Sequence, residues 1–262
     1  MPKRFDAVDE VWVASRFTQA SLESAGLDSV YYAPLPLYIP HMHQRLWVPP
    51  EQTHRGRYFL AIADLRSVPN RKNLLGVISS YCAAFNPDEG MRLVLKVTTK
   101  SAAAELARRD LFQASADRAD IQIISDDLTA PELRSLLLGA VGYVSLHRSE
   151  GLGINIFDAM AHGVPAIATG YGGNAEFLPK DYPLSVTSEL TLVGHGNSPY
   201  PPESLWADPN LSHASELMQF VAQRTDSART IAQSAREHLQ VKHGLDQAAE
   251  IWLSFLQDRK LL

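Results

Sequence analysis

Short apolar runs alternate along this chain with longer segments whose apolar residues recur at spacings of three and four. That alternation confines the fold to parallel α/β units, because two parallel strands cannot be joined by a tight turn and need a crossover between them. The expected strands are Val11–Ala14, Tyr58–Ala63, Leu93–Val97, Ile121–Ile124, Tyr143–Leu146 and Ala166–Ala168. The expected crossover helices are Lys72–Phe85, Ser101–Ala116, Pro131–Gly139 and Ile154–His162, which together give a doubly wound parallel sheet. Three amphipathic helices are expected to follow, near Ser212–Arg224, Asp226–Val241 and Asp246–Leu256.

Two stretches break the pattern. Pro34 to Pro50 is dense in proline, which blocks helix and favours an extended interdomain connector. Ahead of it, Asp9–Gly26 reads as a single strand-helix unit, too small for its own core, so it must pack on something else. The chain therefore divides into residues 1–50 and residues 51–262.

Composition limits the chemistry. With 262 residues, 45% hydrophobic and 20% charged, the chain can bury a substantial core. A net charge of -5 and a pI near 6.0 argue against a coat for nucleic acid, so any phosphate chemistry must be local. Cys82 is the single cysteine, which excludes an intramolecular disulfide and a cysteine metal cluster. It is expected to be a small buried hydrophobe in a helix. The first residues lack the apolar core of a signal peptide, and no run approaches the ~20 apolar residues that span a bilayer. A cytoplasmic location follows, or a peripheral one at the inner face of the membrane.

The chemistry concentrates in three loops that follow strands. The first is His147-Arg148-Ser149-Glu150-Gly151-Leu152-Gly153, where a strand gives way to a helix. In open parallel sheets ligands bind outside the carboxyl ends of strands, and backbone N–H groups at a helix N-terminus favour anions. Asp158 lies eight residues after Glu150, so the two acids need not touch and can hold opposite ends of one ligand. The second loop, Thr169-Gly170-Tyr171-Gly172-Gly173-Asn174, is expected to open a further helix near Asn174. The third, Asp64 to Asn73, carries Arg66, Arg71 and Lys72, which suit a pyrophosphate. His147 and Arg148 either touch a ligand or brace the loop. Asn174 and Glu176 either touch it or cap a helix. Trp206-Ala207-Asp208-Pro209 is expected to pack the C-terminal helices onto the domain.

The run from Ser149 to Ala168, with Glu150-Gly151-Leu152-Gly153, Asp158-Ala159-Met160-Ala161 and Gly163-Val164-Pro165, resembles the signature of family 4 retaining glycosyltransferases. The likeness extends to Asp64 through Asn73, to Ala168 through Asn174 and to Tyr200 through Asp208-Pro209, as in the bacterial branch that builds surface polysaccharides. It implies a GT-B architecture of two facing Rossmann-like domains, of which the C-terminal one holds a nucleotide-sugar. By that resemblance Glu150 lies by the donor sugar and Asp158 binds the ribose, with a side chain one methylene shorter than the family's glutamate. Lys72 would contact the diphosphate together with either Arg66 or Arg71. The amides of Gly151, Leu152 and Gly153 would cover sugar and phosphates, with Gly172, Gly173 and Asn174 beside them.

The implied reaction is retaining transfer from a nucleoside diphosphate sugar of the GDP-mannose or UDP-hexose type to a saccharide or lipid-linked saccharide acceptor, with no cofactor and no metal ion. Residues 1–50 would be the remnant of an N-terminal acceptor domain, so a separate acceptor-domain chain or self-association is expected. A non-catalytic nucleotide-sugar-binding module and an inactive truncated transferase are the alternatives.

Overall fold

The computed structural model describes residues 8–40, 56–98 and 101–260. A first unit comprises β1 (Val11–Val13), α1 (Arg16–Ser24) and β2 (Val30–Tyr32), with β1 and β2 paired in parallel. The main body continues with β3 (Arg57–Asp64), α2 (Pro69–Lys72), α3 (Leu74–Ala84), β4 (Met91–Thr98), α4 (Ala102–Ala114), β5 (Ile121–Ile124) and α5 (Ala130–Leu138). Next come β6 (Gly142–Ser145), α6 (Ile154–Ala161), β7 (Ala166–Thr169), β8 (Ser185–Val186), β9 (Ser188–Leu192) and β10 (Leu205–Pro209). The chain closes with α7 (Leu211–Gln223), α8 (Thr225–Lys242) and α9 (Leu245–Asp258).

Among the described residues, six strands form one sheet in the order β5-β4-β3-β6-β7-β8, every neighbouring pair parallel. From β3 the chain winds outward through β4 and β5, then crosses back to β6 and winds the other way. Right-handed crossovers put the helices of the two halves on opposite faces. Accordingly α3 lies against α7, and α6 against α8. With both faces covered the strands read as continuous apolar runs: Phe59, Leu60, Leu93, Val94, Leu95 and Ile167 are all fully buried. Each such side chain contributes about 2 kcal/mol through burial.

Several expectations need correcting. The helix expected over Lys72–Phe85 is α3, two residues shorter at its start, because Asn73 takes a left-handed conformation (φ 53°) that separates α3 from the short α2. Asparagine tolerates that conformation, and its amide donates to the Leu146 carbonyl at 2.9 Å, tying the loop after β3 to the loop after β6. The helix expected near Asn174 is a single 3-10 turn, Gly173–Glu176. Pro179 follows closely and biases Leu178 away from helix. Trp206 to Pro209 is the strand β10, paired antiparallel with β9. Trp206 sits beneath the Arg148 guanidinium, with the cation 5.5 Å from its ring, so this stretch braces the loop after β6. Cys82 is half-buried on α3. Of the proline-rich segment, residues 34–40 carry no regular structure, and the remainder to Pro50 lies outside the described residues.

The small N-terminal unit does pack on something else, namely α9. Trp12 meets Phe255 and Trp252 edge-on at 4.9 and 5.6 Å between ring centroids, Arg259 pairs with Glu10 at 2.8 Å, and the Trp252 indole donates to the Pro34 carbonyl at 2.7 Å. No helix among the described residues is long and apolar enough to cross a membrane. Phe255 is buried and central to the aromatic cluster, so Phe255→Ala is expected to cost about 3 kcal/mol. Limited proteolysis should then cut within residues 8–40 before the sheet. Equal resistance of this segment in variant and parent would refute its dependence on α9.

Candidate active site

The sheet reverses its winding between β3 and β6, and the crevice beyond their carboxyl ends is where an open α/β sheet binds ligands. Two loops meet there. The Arg148 N–H donates to the Arg71 carbonyl at 2.8 Å, and the Arg71 guanidinium donates to the Ser149 carbonyl at 2.6 Å and to Ser67 Oγ at 2.9 Å. The result is a cluster of three charges: Lys72 Nζ hydrogen-bonds Glu150 Oε1, and Arg71 Nη1 lies 3.4 Å from Glu150 Oε2. They border a cleft of about 550 Å³ that Gly151, Leu152, Gly153 and Tyr200 also line.

Burial pushes the Glu150 carboxyl up, but the charges of Lys72 and Arg71 outweigh it and hold the group below the usual carboxylate range. At an effective dielectric near 20, unit charges at the Arg71–Glu150 separation attract by about 5 kcal/mol, and desolvation takes back much of that. The cluster therefore offers two cations already gathered by an internal anion. Gly153 begins α6 in a left-handed conformation (φ 83°), which aims the first turn of that helix at the same cleft.

The second glycine turn packs directly on the first. The Gly173 N–H donates to the Glu150 carbonyl at 2.8 Å, and a Cβ at Gly173 would stand 2.0 Å from the Gly151 carbonyl oxygen. At Gly172, whose φ is 101°, a Cβ would lie 2.7 Å from the Glu150 carbonyl oxygen. These glycines are thus required for turn-on-turn contact. His147 joins the same turns from beneath. It is fully buried, with Nε2 3.0 Å from Asn174 Oδ1 and 2.9 Å from the Tyr171 carbonyl, and Nδ1 3.0 Å from Ser145 Oγ. Two acceptors at Nε2 assign the proton there, and burial lowers the tendency of the ring to charge. Asn174 completes the brace by donating to the Thr169 carbonyl at 2.8 Å.

The remaining candidates stand apart from the charge cluster. Arg66 is exposed and forms a fork with Asp64 at 2.6 Å, and it is not among the residues that line the cleft. Arg148 donates to Asp208 at 3.0 Å and to the Asn70 carbonyl at 3.0 Å, clipping β10 to the site loops. Asp158 is half-buried on α6; burial raises its pKa, opposed by His162 and Arg134. Among the described residues no three His, Cys, Asp or Glu side chains group so as to hold a metal ion. Sequence reasoning did not single out Ser15 and Thr18 of the first unit, whose hydroxyls both donate to the Gly151 carbonyl, Thr18 at 3.3 Å. A serine directly before a helical segment is an N-cap signal, which locates Ser15 on α1 and says nothing of this distant contact. Tyr200, where the last stretch of the family likeness begins, lines the cleft from the loop between β9 and β10, a place the likeness did not assign it. Asn197 sets that loop by accepting from the Asn70 side chain at 2.9 Å.

No family model matches the chain, and no curated protein matches it by sequence. Solved structures do share its fold. Sucrose-phosphate synthase from Thermosynechococcus elongatus superposes on 97% of this chain and 59% of its own length, with a TM-score of 0.69 at 16% identity. Anabaena HepE in complex with UDP and glucose matches 96% of this chain and 64% of its own, at 0.71 and 12%. S. aureus TarM, in complex with Fondaparinux, alpha-GlcNAc-glycerol and UDP, matches 95% and 44%, at 0.64 and 14%. The shared feature is the Rossmann-like sheet of GT-B proteins. The chain spans well under two thirds of the length of the sucrose-phosphate synthase and TarM chains.

Two outcomes are expected from the geometry. Gly173→Ala must push the two turns apart and should cost about 2 kcal/mol, read as a lower Tm; an unchanged Tm would contradict the close packing. Lys72→Met removes the largest attraction on Glu150, so burial acts with less opposition and the carboxyl titrates at higher pH. In the parent, the depressed Glu150 contributes stability that is present above the unfolded carboxylate value and is lost as pH falls through the lower folded value. In Lys72→Met that acid limb moves to higher pH, and carboxyl NMR titration together with acid unfolding measures both. A Glu150 titration that does not move would rule out the coupling.

Proposed function

We propose that this chain binds a nucleoside diphosphate sugar in the crevice between β3 and β6 and serves as the donor half of a retaining glycosyltransferase. The observation that carries this reading is the convergence of Arg71 and Lys72 from one loop with Glu150 and the α6 N-terminus from the other, at the reversal point of the sheet. Lys72 and Arg71 neutralise the diphosphate, the amides of Gly151 to Gly153 face sugar and phosphate, and Asp158 takes the ribose hydroxyls. Arg66, already forked with Asp64, is the weaker candidate for the diphosphate. His147, Gly172, Gly173 and Asn174 hold the donor turns in register, and Arg148 fixes the hairpin that carries Tyr200.

In the reaction the acceptor hydroxyl attacks the anomeric carbon on the face from which the diphosphate leaves. The carbon–phosphate oxygen bond breaks, the glycosidic bond forms, and a phosphate oxygen takes the acceptor proton. Negative charge develops on the departing diphosphate, where preorganised cations and amides have most effect. Two protein cations at this position make a divalent ion unnecessary, so donor binding is expected to survive EDTA. The GT-B neighbours support glycosyl transfer as the reaction class, and the UDP bound in TarM and HepE makes UDP the first nucleotide to test. The acceptor is a saccharide or lipid-linked saccharide, reached in the cytoplasm or at the inner face of the membrane.

Calorimetric titration with UDP-glucose, GDP-mannose, UDP and GDP tests the reading. Lys72→Ala should weaken nucleotide binding about tenfold or more, the worth of one charge-assisted hydrogen bond. Glu150→Gln removes the internal anion that competes for Lys72 and Arg71, so free UDP or GDP should bind at least as tightly while transfer falls. A folded chain that binds none of the four would defeat the proposal. Binding without turnover under any pairing would select the alternative, a nucleotide-sugar-binding module.

A further inference from the structure

The first turn of α1 lies on the donor turn. Ser15 is fully buried, and its hydroxyl caps α1 by accepting from the Thr18 N–H at 3.1 Å while donating to the Gly151 carbonyl. Thr18 Oγ1 donates to the same carbonyl. Glu176, at the end of the second glycine turn, accepts from the Phe17 N–H at 2.7 Å, and Phe17 meets Tyr171 edge-on at 5.3 Å. Three segments far apart in sequence, 15–18, 150–153 and 171–176, are therefore locked together around one peptide group.

That peptide is Gly151–Leu152. In a trans peptide the C=O and the N–H point in opposite directions, so fixing the Gly151 oxygen toward α1 sends the Leu152 N–H away from α1. Leu152 lines the cleft beside Glu150 and Lys72. Gly173 packs against one side of this peptide, and glycine at 151, whose backbone accepts conformations closed to other residues, adds no side chain to hold it, so the two hydroxyls supply its polar anchor.

We propose that Ser15 and Thr18 are positioning residues for the anion site, fixing the Gly151–Leu152 peptide so that its N–H is presented to the ligand's phosphate, and that Glu176 holds α1 in place for that purpose. The unit before the linker then forms part of the site and is not a passive appendage. Its functional arm rests on the donor-site reading above; its structural arm does not.

The test measures amide hydrogen exchange and pyrophosphate affinity on the full chain for Ser15→Ala/Thr18→Val, for Glu176→Ala, and for Ser15→Thr, which keeps a hydroxyl. In the first two variants, exchange at Leu152 and Gly153 should speed up about tenfold and pyrophosphate should bind about tenfold more weakly, the scale of one lost hydrogen bond. Exchange in β4 should stay unchanged, and Ser15→Thr should behave as the parent. Unchanged exchange at 152–153 overturns the proposal. So does faster exchange with unaltered pyrophosphate affinity, since the peptide would then be held without serving the anion. If the parent itself binds no pyrophosphate, the anion role is overturned whatever the nucleotide titrations show, and the exchange arm alone decides whether α1 holds the turn.

Discussion

The pairing of β3 with β6 is the constraint on which the rest of this structure depends. It is short, Phe59 opposite Gly142 and Leu60 opposite Tyr143, yet it joins two halves that wind in opposite directions. Because both strands are parallel, their carboxyl ends open on the same side, and the loops that leave them diverge to opposite faces. A crevice results from topology before any side chain is chosen. The loop after β3 brings two cations to it and the loop after β6 an acid and a helix N-terminus. The Asn73 amide and the Arg148 N–H stitch those loops so that the charges meet.

The site is rigid through backbone contacts more than through its charges. Glycines at 172 and 173 let one turn rest on the other, and His147, buried, ties the second turn to β6 from beneath with both ring nitrogens engaged. An ion pair among partly buried groups carries little net stability, because desolvation offsets the attraction. Its consequence is availability: Lys72 and Arg71 are held at the cleft by Glu150 without being neutralised by a second acid among the described ion pairs. Backbone contacts also place α1 against Gly151: its first amides go to Glu176 and to Ser15 Oγ, while the Ser15 and Thr18 hydroxyls take the Gly151 carbonyl.

Much of the sheet was legible beforehand because strands buried on both faces are apolar throughout, as in Tyr58–Ala63 and Leu93–Val97. The C-terminal helices were legible from their three-and-four spacing. The hairpin of β9 and β10 was not: every residue of β9 is exposed, so no apolar run marks it, and only pairing with β10 makes it a strand. β8 is two residues long, and β2 three, too short for any period to register. The Asn73 break inside a helical pattern was hidden because its cause is a carbonyl at Leu146, 73 residues away.

By itself the sequence determined the parallel α/β class and the strand-end loops rich in glycine and charge, because periodicity and glycine placement are local properties. It left Arg66 and Arg71 as equal candidates, and it left His147 and Arg148 between ligand and brace. Tertiary structure alone gives them different partners. Arg66 folds back on Asp64, two residues away, while Arg71 reaches Ser149 and Glu150 across the reversal of the sheet. His147 is enclosed between two turns, and Arg148 is drawn to Asp208 on a hairpin that left no mark in the pattern of the chain. Such choices depend on which distant backbone groups stand within hydrogen-bond reach, and that distance is set only when the two halves of the sheet are brought together.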